Sequence, residues 1–386
     1  MRIPPEFEII FKSLSLAGVI FSGARPIEKT ESKVKGKIKS LLKSLVEISF
    51  VAISIILVFA SITYGDEYKT TLKVTTTTIN IILLLLRVSL LLKKNAILSA
   101  LSKLHSFRNS QRNRGSPHIR KYVALTCGLC FLFPIAMIIH CIIETVSNPQ
   151  EYFRYLGVSC DQKILCIIYI IATIIAYVFS YIVFPGLLVA LLSFTYLLFS
   201  KTFEQHLDEL RLRLLENFSK KEISRALLVF KAAKKTHLRI EKAVSLLTFL
   251  TYALTFGNIF QVMSTFVTGF ATDTGILQTT YSYITFIWSV VWFLALTMCG
   301  TDIRKTEFST KNMAQDVITK NLVKNLDGQS ELEYMNLFNT CSDLDLRFTG
   351  WGMFVLDKKM ILTITGIMVT YGALFVTEVR KMPENI

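Results

Sequence analysis

Residues 164–200 read ILCIIYIIATIIAYVFSYIVFPGLLVALLSFTYLLFS, a run of 37 residues without one charged side chain. A helix needs about 20 mainly apolar residues to cross roughly 30 Å of hydrocarbon, because each backbone N–H and C=O must find its partner inside the segment. The run exceeds that length, so it is predicted to lie in a lipid bilayer.

Six further apolar runs are long enough to cross a bilayer: 48–64, 74–92, 122–143, 243–270, 281–300 and 360–377. The whole chain is 52% hydrophobic and 18% charged, whereas soluble domains carry about 25% charged residues. We therefore expect an all-α polytopic membrane protein, one domain over residues 1–386, with seven transmembrane helices. The shorter apolar stretch 11–21 is predicted to be a helix that skirts the membrane or lies in the cytoplasm.

The basic residues predict the orientation, because short connections rich in Lys and Arg stay on the cytoplasmic side. Thirty-six Lys and Arg lie in four segments: 1–44, 93–121, 201–242 and 301–359. Six lie in the connections between these segments and in the C-terminal tail. This bias predicts a cytoplasmic N-terminus and an extracellular C-terminus.

The run 164–200 could form about 55 Å of helix, enough for two crossings, and Pro185 with Gly186 offers a place to break. Two crossings would put the basic segment 201–242 on the face opposite the basic segment 93–121. One crossing keeps both on the same face. We therefore expect one long span that projects outward, runs past the inner surface or is broken near Pro185.

The basic connections carry apolar stripes of their own. Apolar residues recur at helical spacing in 201–242, at Phe203, Leu207, Leu210 and Leu214. A similar spacing is present in 301–359. Both segments are predicted to form a cytoplasmic helical anchor, which packs within one chain or between subunits.

Motifs of catalysis and of cofactor binding are missing from the sequence. It has no Gly-rich phosphate loop, no Ser/His/Asp arrangement and no HExxH motif, and its seven cysteines lack the spacing of a metal site. The net charge of +15 lies beside apolar runs, which favours contact with anionic lipid over nucleic acid. We predict no enzyme activity, no cofactor, no metal site and no nucleic-acid partner.

The C-terminal segment carries the most specific pattern. Residues 348–359 read FTGWGMFVLDKK and are followed by MILTITGIMVTYGALFV. This segment resembles the arthropod gustatory receptor family, relatives of the insect odorant receptors, at Leu356-Asp357, at Gly366 and at Thr370-Tyr371. The chain departs from the family pattern at Thr377-Glu378, where the family has Gln-Phe.

The resemblance implies that the last helix lines the central pore of a tetramer. By position, Leu374 would be the hydrophobic gate and Thr377 would replace the family's polar ring, with Tyr371 in the same pore helix. Glu378 would add a ring of negative charge that favours cations at the outer mouth. The alternative for Leu374 is contact with lipid or ordinary helix packing.

The resemblance also implies an outward-facing ligand pocket among spans two to six. Polar and aromatic residues recur along one face of the sixth span: Tyr281, Thr285, Trp288 and Trp292. Such a stripe can stack on sugars or aromatic bitter compounds, although an interfacial belt or helix packing explains it as well. Tyr252 and Phe256 on the fifth span are weaker candidates.

We therefore expect a chemoreceptor of the plasma membrane that acts as a ligand-gated, non-selective cation channel. Its expected partners are a small-molecule tastant, the lipid bilayer and receptors of the same family in a homo- or heterotetramer. The alternatives are a G-protein-coupled receptor, which needs an extracellular N-terminus and a DRY-like motif after span three, and a secondary transporter, which needs inverted halves.

Overall fold

The structure is a computed structural model that describes residues 3–21, 33–63, 70–110, 117–147, 163–267, 276–322, 336–337, 339–341, 343–367 and 369–370. Its helices are α1 (Phe7–Leu16), α2 (Lys33–Thr63), α3 (Thr70–Asn109), α4 (Pro117–Ser147), α5 (Lys163–Val178), a π-helix (Phe179–Val183), α6 (Phe184–Glu216), α7 (Lys220–Val267) and α8 (Ile276–Leu322). The last helix is described over residues 359–367 and 369–370.

The predicted all-α polytopic fold is confirmed, because helices cover all seven apolar runs as far as they are described. By length and composition, five helical segments of the described part of the chain could cross a membrane: Leu41–Thr63, Ile119–Ile143, Ile170–Glu216, Lys220–Thr265 and Ser282–Lys320. The run 74–92 lies within α3, and the run 360–377 extends beyond the described residues. In hydrocarbon the helix is the conformation that pairs each backbone group within its own segment.

The fourth apolar run forms one continuous helical passage through α5, the π-helix and α6. Val183 and Phe184, at the junction before Pro185, both have helical backbone angles. Pro185 lies in the first turn of α6, where the N–H that proline lacks is not needed by α6 itself. The chain does not turn back at Pro185, so the run forms one long helical passage, as a single span requires, with the π-helix just before Pro185.

The basic ends of α3, α6, α7 and α8 continue beyond the apolar runs and meet at one end of the bundle. We call this the anchor end, and it comprises residues 93–110, 201–242 and 301–322. There His206 Nε2 lies 3.2 Å from the carbonyl oxygen of Phe107, and Arg211 pairs with Asp316 at 2.7 Å. The predicted stripe from Phe203 to Leu214 is buried within the chain.

Helix α1 packs into the bundle against α4 and α6. Its apolar side chains Phe7, Ile10 and Leu14 are buried. Just before it, Glu6 pairs with Arg108 of α3 at 2.8 Å. At ten residues, α1 is about 15 Å long, half the thickness of the hydrocarbon layer.

The spans differ strongly in how much protein surrounds them. In the most apolar window of Ile170–Glu216, 72% of the residues are buried, so this span lies at the centre of the bundle. In Leu41–Thr63 the figure is 6%. The apolar side chains of α2 are therefore left to contact lipid or a neighbouring molecule.

A small hairpin, which sequence analysis did not predict, precedes the last helix. Strands β1 (Thr349–Gly350) and β2 (Phe354–Val355) pair antiparallel. Trp351 has φ of 51° and Gly352 has φ of 70°, and a positive φ is uncommon for a bulky residue. The conformation is held by hydrogen bonds, including Trp351 N–H to the carbonyl oxygen of Ser245 at 3.1 Å.

Candidate functional site

Two of the predicted ligand residues lie together on α8. The rings of Trp288 and Trp292 meet edge to face with centroids 5.7 Å apart. Trp288 also stacks on Phe133 of α4, at 5.6 Å and an interplanar angle of 19°. The aromatic stripe predicted from the sequence is therefore in contact with the third span.

Gly186 of α6 allows Trp292 to lie close to the central span. A Cβ atom at position 186 would lie 3.1 Å from Trp292 Cζ2 and 3.2 Å from Cys130 Sγ. These distances are shorter than ordinary van der Waals contact, so a larger residue would push the indole away. We call Phe133, Gly186, Thr285, Trp288, Ser289 and Trp292 the tryptophan cluster.

The tryptophan cluster contains hydrogen-bonding atoms that lack partners. These buried atoms are Thr285 Oγ1, Trp288 Nε1, Ser289 Oγ and Trp292 Nε1. An unsatisfied buried polar group costs about 1–3 kcal/mol. A bound molecule that supplies acceptor atoms to the two indole N–H groups would recover that free energy. None of the six residues carries a charge, so the cluster suits a neutral molecule.

Two other predicted ligand residues, Tyr252 and Phe256, lie elsewhere. Tyr252 and Phe256 of α7 contact Phe293, on another face of α8, with ring centroids 5.7 Å and 6.1 Å apart. The Tyr252 hydroxyl is already bonded to Thr297 Oγ1 at 2.8 Å. The structure therefore does not bring these two residues into the tryptophan cluster. The side chain of Tyr281 lies outside the described residues.

Tyr252 instead contacts the segment that leads into the last helix. Its ring meets Phe354 of β2 edge to face at 5.3 Å, and Phe348 packs on Tyr196 of α6 at 4.1 Å. The Glu241 carboxylate accepts hydrogen bonds from the backbone N–H and the hydroxyl of Thr349. Burial raises the pKa of Glu241, and these hydrogen bonds lower it by a smaller amount.

The Leu356-Asp357 pair joins the last helix to α8. Leu356 is fully buried and lies against Gly300, while Asp357 forms an ion pair with Arg304 one turn further along α8. The sequence pattern contains the Leu-Asp pair but does not indicate that Gly300 and Arg304 are its partners. A glycine at the end of an apolar run, followed four residues later by the basic Arg304, was the available signal.

The four predicted pore residues Tyr371, Leu374, Thr377 and Glu378 lie outside the described residues. The described part of the last helix exposes apolar side chains, with Leu362 77% and Val369 67% exposed, whereas Ile364 is buried. One face of this helix therefore packs on its own chain, and another face is uncovered in a single chain.

No protein-family model and no curated protein matches this sequence. Two solved structures of the insect olfactory receptor OR5 from Machilis hrabei do match its fold, one of them in complex with eugenol. Both give a TM-score of 0.71, at 12% and 13% sequence identity, and each match covers 96% of this chain and 97% of OR5. Since the match extends over nearly the whole of both chains, this protein has the fold of the insect olfactory receptors.

Proposed function

We propose that the protein is a chemoreceptor of the insect odorant and gustatory receptor family and acts as a ligand-gated, non-selective cation channel. The observation that carries this proposal is the olfactory receptor fold over 96% of the chain. The C-terminal motif supports it independently. At the start of the last helix, Leu356 packs against Gly300 and Asp357 pairs with Arg304. The fold favours this function over a G-protein-coupled receptor or a transporter.

The proposed pore is formed by the last helices of four subunits. Leu362 and Val369 are exposed in a single chain, and neighbouring subunits would cover such apolar surface. Leu374 of each subunit would form a hydrophobic constriction, which blocks ions by dewetting. Thr377 would form a polar ring, and Glu378 would attract cations to the outer mouth.

The proposed ligand site is the tryptophan cluster. Its aromatic faces can stack on a ring, and its unpaired indole N–H groups can donate to an oxygen. The tastant class that fits is therefore a neutral molecule with acceptor oxygens, such as an aromatic bitter compound or a sugar. Eugenol, which is bound in the OR5 complex, is also an uncharged aromatic molecule.

Helix α8 connects the proposed ligand site to the proposed pore. Trp288 and Trp292 lie on one part of α8. Gly300, which contacts Leu356, follows about two turns after Trp292, and Arg304, which pairs with Asp357, follows about three turns after it. A ligand that binds the open state better than the closed state would shift the equilibrium toward opening. A displacement of α8 would move the start of the last helix with it.

The proposed location is the plasma membrane, with the N-terminus and the anchor end in the cytoplasm. The proposed assembly is a homotetramer or a heterotetramer with receptors of the same family. In this arrangement the anchor end holds the inner ends of the helices while the outer ends move.

Whole-cell recording without co-expressed G proteins tests the channel function directly. Application of sugars, bitter compounds and amino acids should evoke cation currents, and Leu374→Ser should raise the basal current because a polar ring wets the constriction. A response that appears only with co-expressed G proteins would contradict the channel. Unchanged basal and evoked currents in Leu374→Ser would contradict the gate.

The ligand site has its own test. Trp288→Ala and Trp292→Ala should each raise the half-maximal ligand concentration about tenfold or more, which corresponds to about 1.4 kcal/mol. Tyr283→Ala is the matched control, because Tyr283 is an aromatic residue of α8 that is 55% exposed. Equal shifts in the Trp288 and Tyr283 variants would mean that the tryptophan cluster is not the site.

A further inference from the structure

A positively charged side chain is buried in the second predicted span. Arg87 of α3 is 1% exposed. Its Nη1 donates to the carbonyl oxygen of Ala17 at 3.0 Å, whereas its Nη2 has no hydrogen-bond partner. Ionisable residues within spans are costly and usually mark a functional site.

The aromatic neighbours of Arg87 stabilise the guanidinium only in part. Its Cζ lies 4.2 Å from the ring centroid of Phe184 and 5.0 Å from that of Phe50, within the range of cation–π interactions. In the described part of the chain, Arg87 forms no ion pair. By contrast, the partly buried Lys94 pairs with Glu47 at 2.5 Å.

A small cavity lies beside Arg87. It has a volume of about 10 Å³ and is lined by α2, α3, the π-helix and α6, at Ser54, Leu57, Asn80, Leu83, Ser180 and Phe184. This volume holds one species of about the size of a water molecule. Two further buried atoms of the lining lack partners, the hydroxyl of Ser180 and the side-chain oxygen of Asn80.

We propose that this cavity binds one monatomic anion, such as chloride. Arg87 Nη2 and the Ser180 hydroxyl would donate to it, and its charge would neutralise the guanidinium. A monatomic anion matches this volume better than a phosphate or a lipid headgroup does. A water molecule would fit and would satisfy the Asn80 oxygen, which an anion leaves unpaired. The anion is favoured because an unpaired buried charge costs more than an unpaired amide oxygen.

The test compares thermal unfolding of the purified full-length protein in sodium chloride and in sodium gluconate at equal ionic strength. Gluconate is too large for the cavity. Chloride and bromide should raise the midpoint temperature by an amount that saturates with concentration. Arg87→Gln should abolish the difference between the salts. Arg225→Gln, which removes the same charge from an exposed position of α7, should preserve it.

A second variant keeps the proposal testable if Arg87→Gln fails to fold. Ser180→Ala removes one donor, so the chloride concentration that gives half of the shift should rise at least threefold. A structure determined in bromide should show anomalous signal between α3 and the π-helix. Equal midpoints of the wild type in both salts, a chloride shift retained by Arg87→Gln, or water alone in the cavity would overturn the proposal.

Discussion

Leu356 lies so close to Gly300 that a Cβ atom built at position 300 would be 2.3 Å from Leu356 Cδ2 and 3.0 Å from Leu356 Cβ. The absence of a side chain at position 300 therefore sets the distance between α8 and the start of the last helix. Glycine fits at position 300 because its hydrogen atom leaves room for the Leu356 side chain, whereas a methyl group would overlap with that side chain.

Gly300→Ala should destabilise the protein by about 1–3 kcal/mol, the usual cost of overpacking. The measurement is thermal unfolding in detergent. Gly128→Ala is the control, because a Cβ at that position in α4 meets no atom within 4 Å, and a helical alanine is preferred over glycine. Combining Gly300→Ala with Leu356→Ala should cost less than the sum of the two single variants; strict additivity would contradict the contact.

Charge reversal tests the ion pair between Arg304 and Asp357. Asp357→Arg should lower the unfolding midpoint and reduce ligand-evoked current, because two cations would then face each other where α8 meets the last helix. The pair is partly exposed, so its contribution to stability is about 1 kcal/mol or less. Arg304→Asp together with Asp357→Arg should restore most of the unfolding midpoint and most of the ligand-evoked current. If the double variant has the same low midpoint and current as Asp357→Arg alone, the two residues are not coupled.

His237 predicts a pH dependence of stability. Its ring packs between Phe199 and Phe348, with centroids 5.9 Å and 4.8 Å away, and burial lowers its pKa from 6.5 to about 4. Below pH 6.5 the unfolded chain binds a proton that the folded chain does not. The free energy of unfolding should therefore fall between pH 6.5 and 4, by up to about 1.4 kcal/mol per pH unit.

The variant His237→Phe isolates that contribution. The pKa of His206 is also lowered to about 4 by burial, so roughly half of the histidine-dependent slope should remain in the variant. The measurement is the unfolding midpoint of both proteins across this pH range. Parallel curves for wild type and variant would show that His237 does not stay neutral in the folded protein.

Asn217 reports the orientation of the chain. It lies between α6 and α7 at the anchor end, with extended backbone angles, and it begins the glycosylation sequon Asn217-Phe218-Ser219. With the anchor end in the cytoplasm, Asn217 should carry no glycan. Gly157→Asn creates a sequon with Val158 and Ser159 on the predicted outer face. Endoglycosidase treatment should change the gel mobility of the Gly157→Asn protein but not that of the wild type. A mobility change of the wild-type protein would mean that the anchor end faces outward, which contradicts the proposed topology.

The sequence predicts the helices well because lipid allows few alternatives. Uncharged runs define the spans, and the distribution of basic residues predicted that the run around Pro185 crosses once. The rotation of each helix about its axis is set by packing with neighbours far away in the chain. That is why Tyr252 and Trp292, both predicted for one pocket, have different partners in the structure: Tyr252 contacts Phe293, and Trp292 contacts Trp288.

The contacts of the C-terminal motif were equally inaccessible from the sequence. The glycines at 350 and 352 indicate a turn, but strands of two residues are too short to show an alternating pattern. The partner of Asp357 lies 53 positions away on another helix. A pairwise contact of this kind leaves no periodic trace in one sequence.

The low burial of α2 bears on how two sequences that are 12% identical can share one fold. Most side chains of Leu41–Thr63 face outward, and a hydrocarbon solvent accepts any of Leu, Ile, Val or Phe there at similar free energy. Substitutions along this span can therefore accumulate without selection against them, as long as the span stays apolar. At Gly186 and Gly300, by contrast, a methyl group has no room, so a substitution there would disturb the packing between helices.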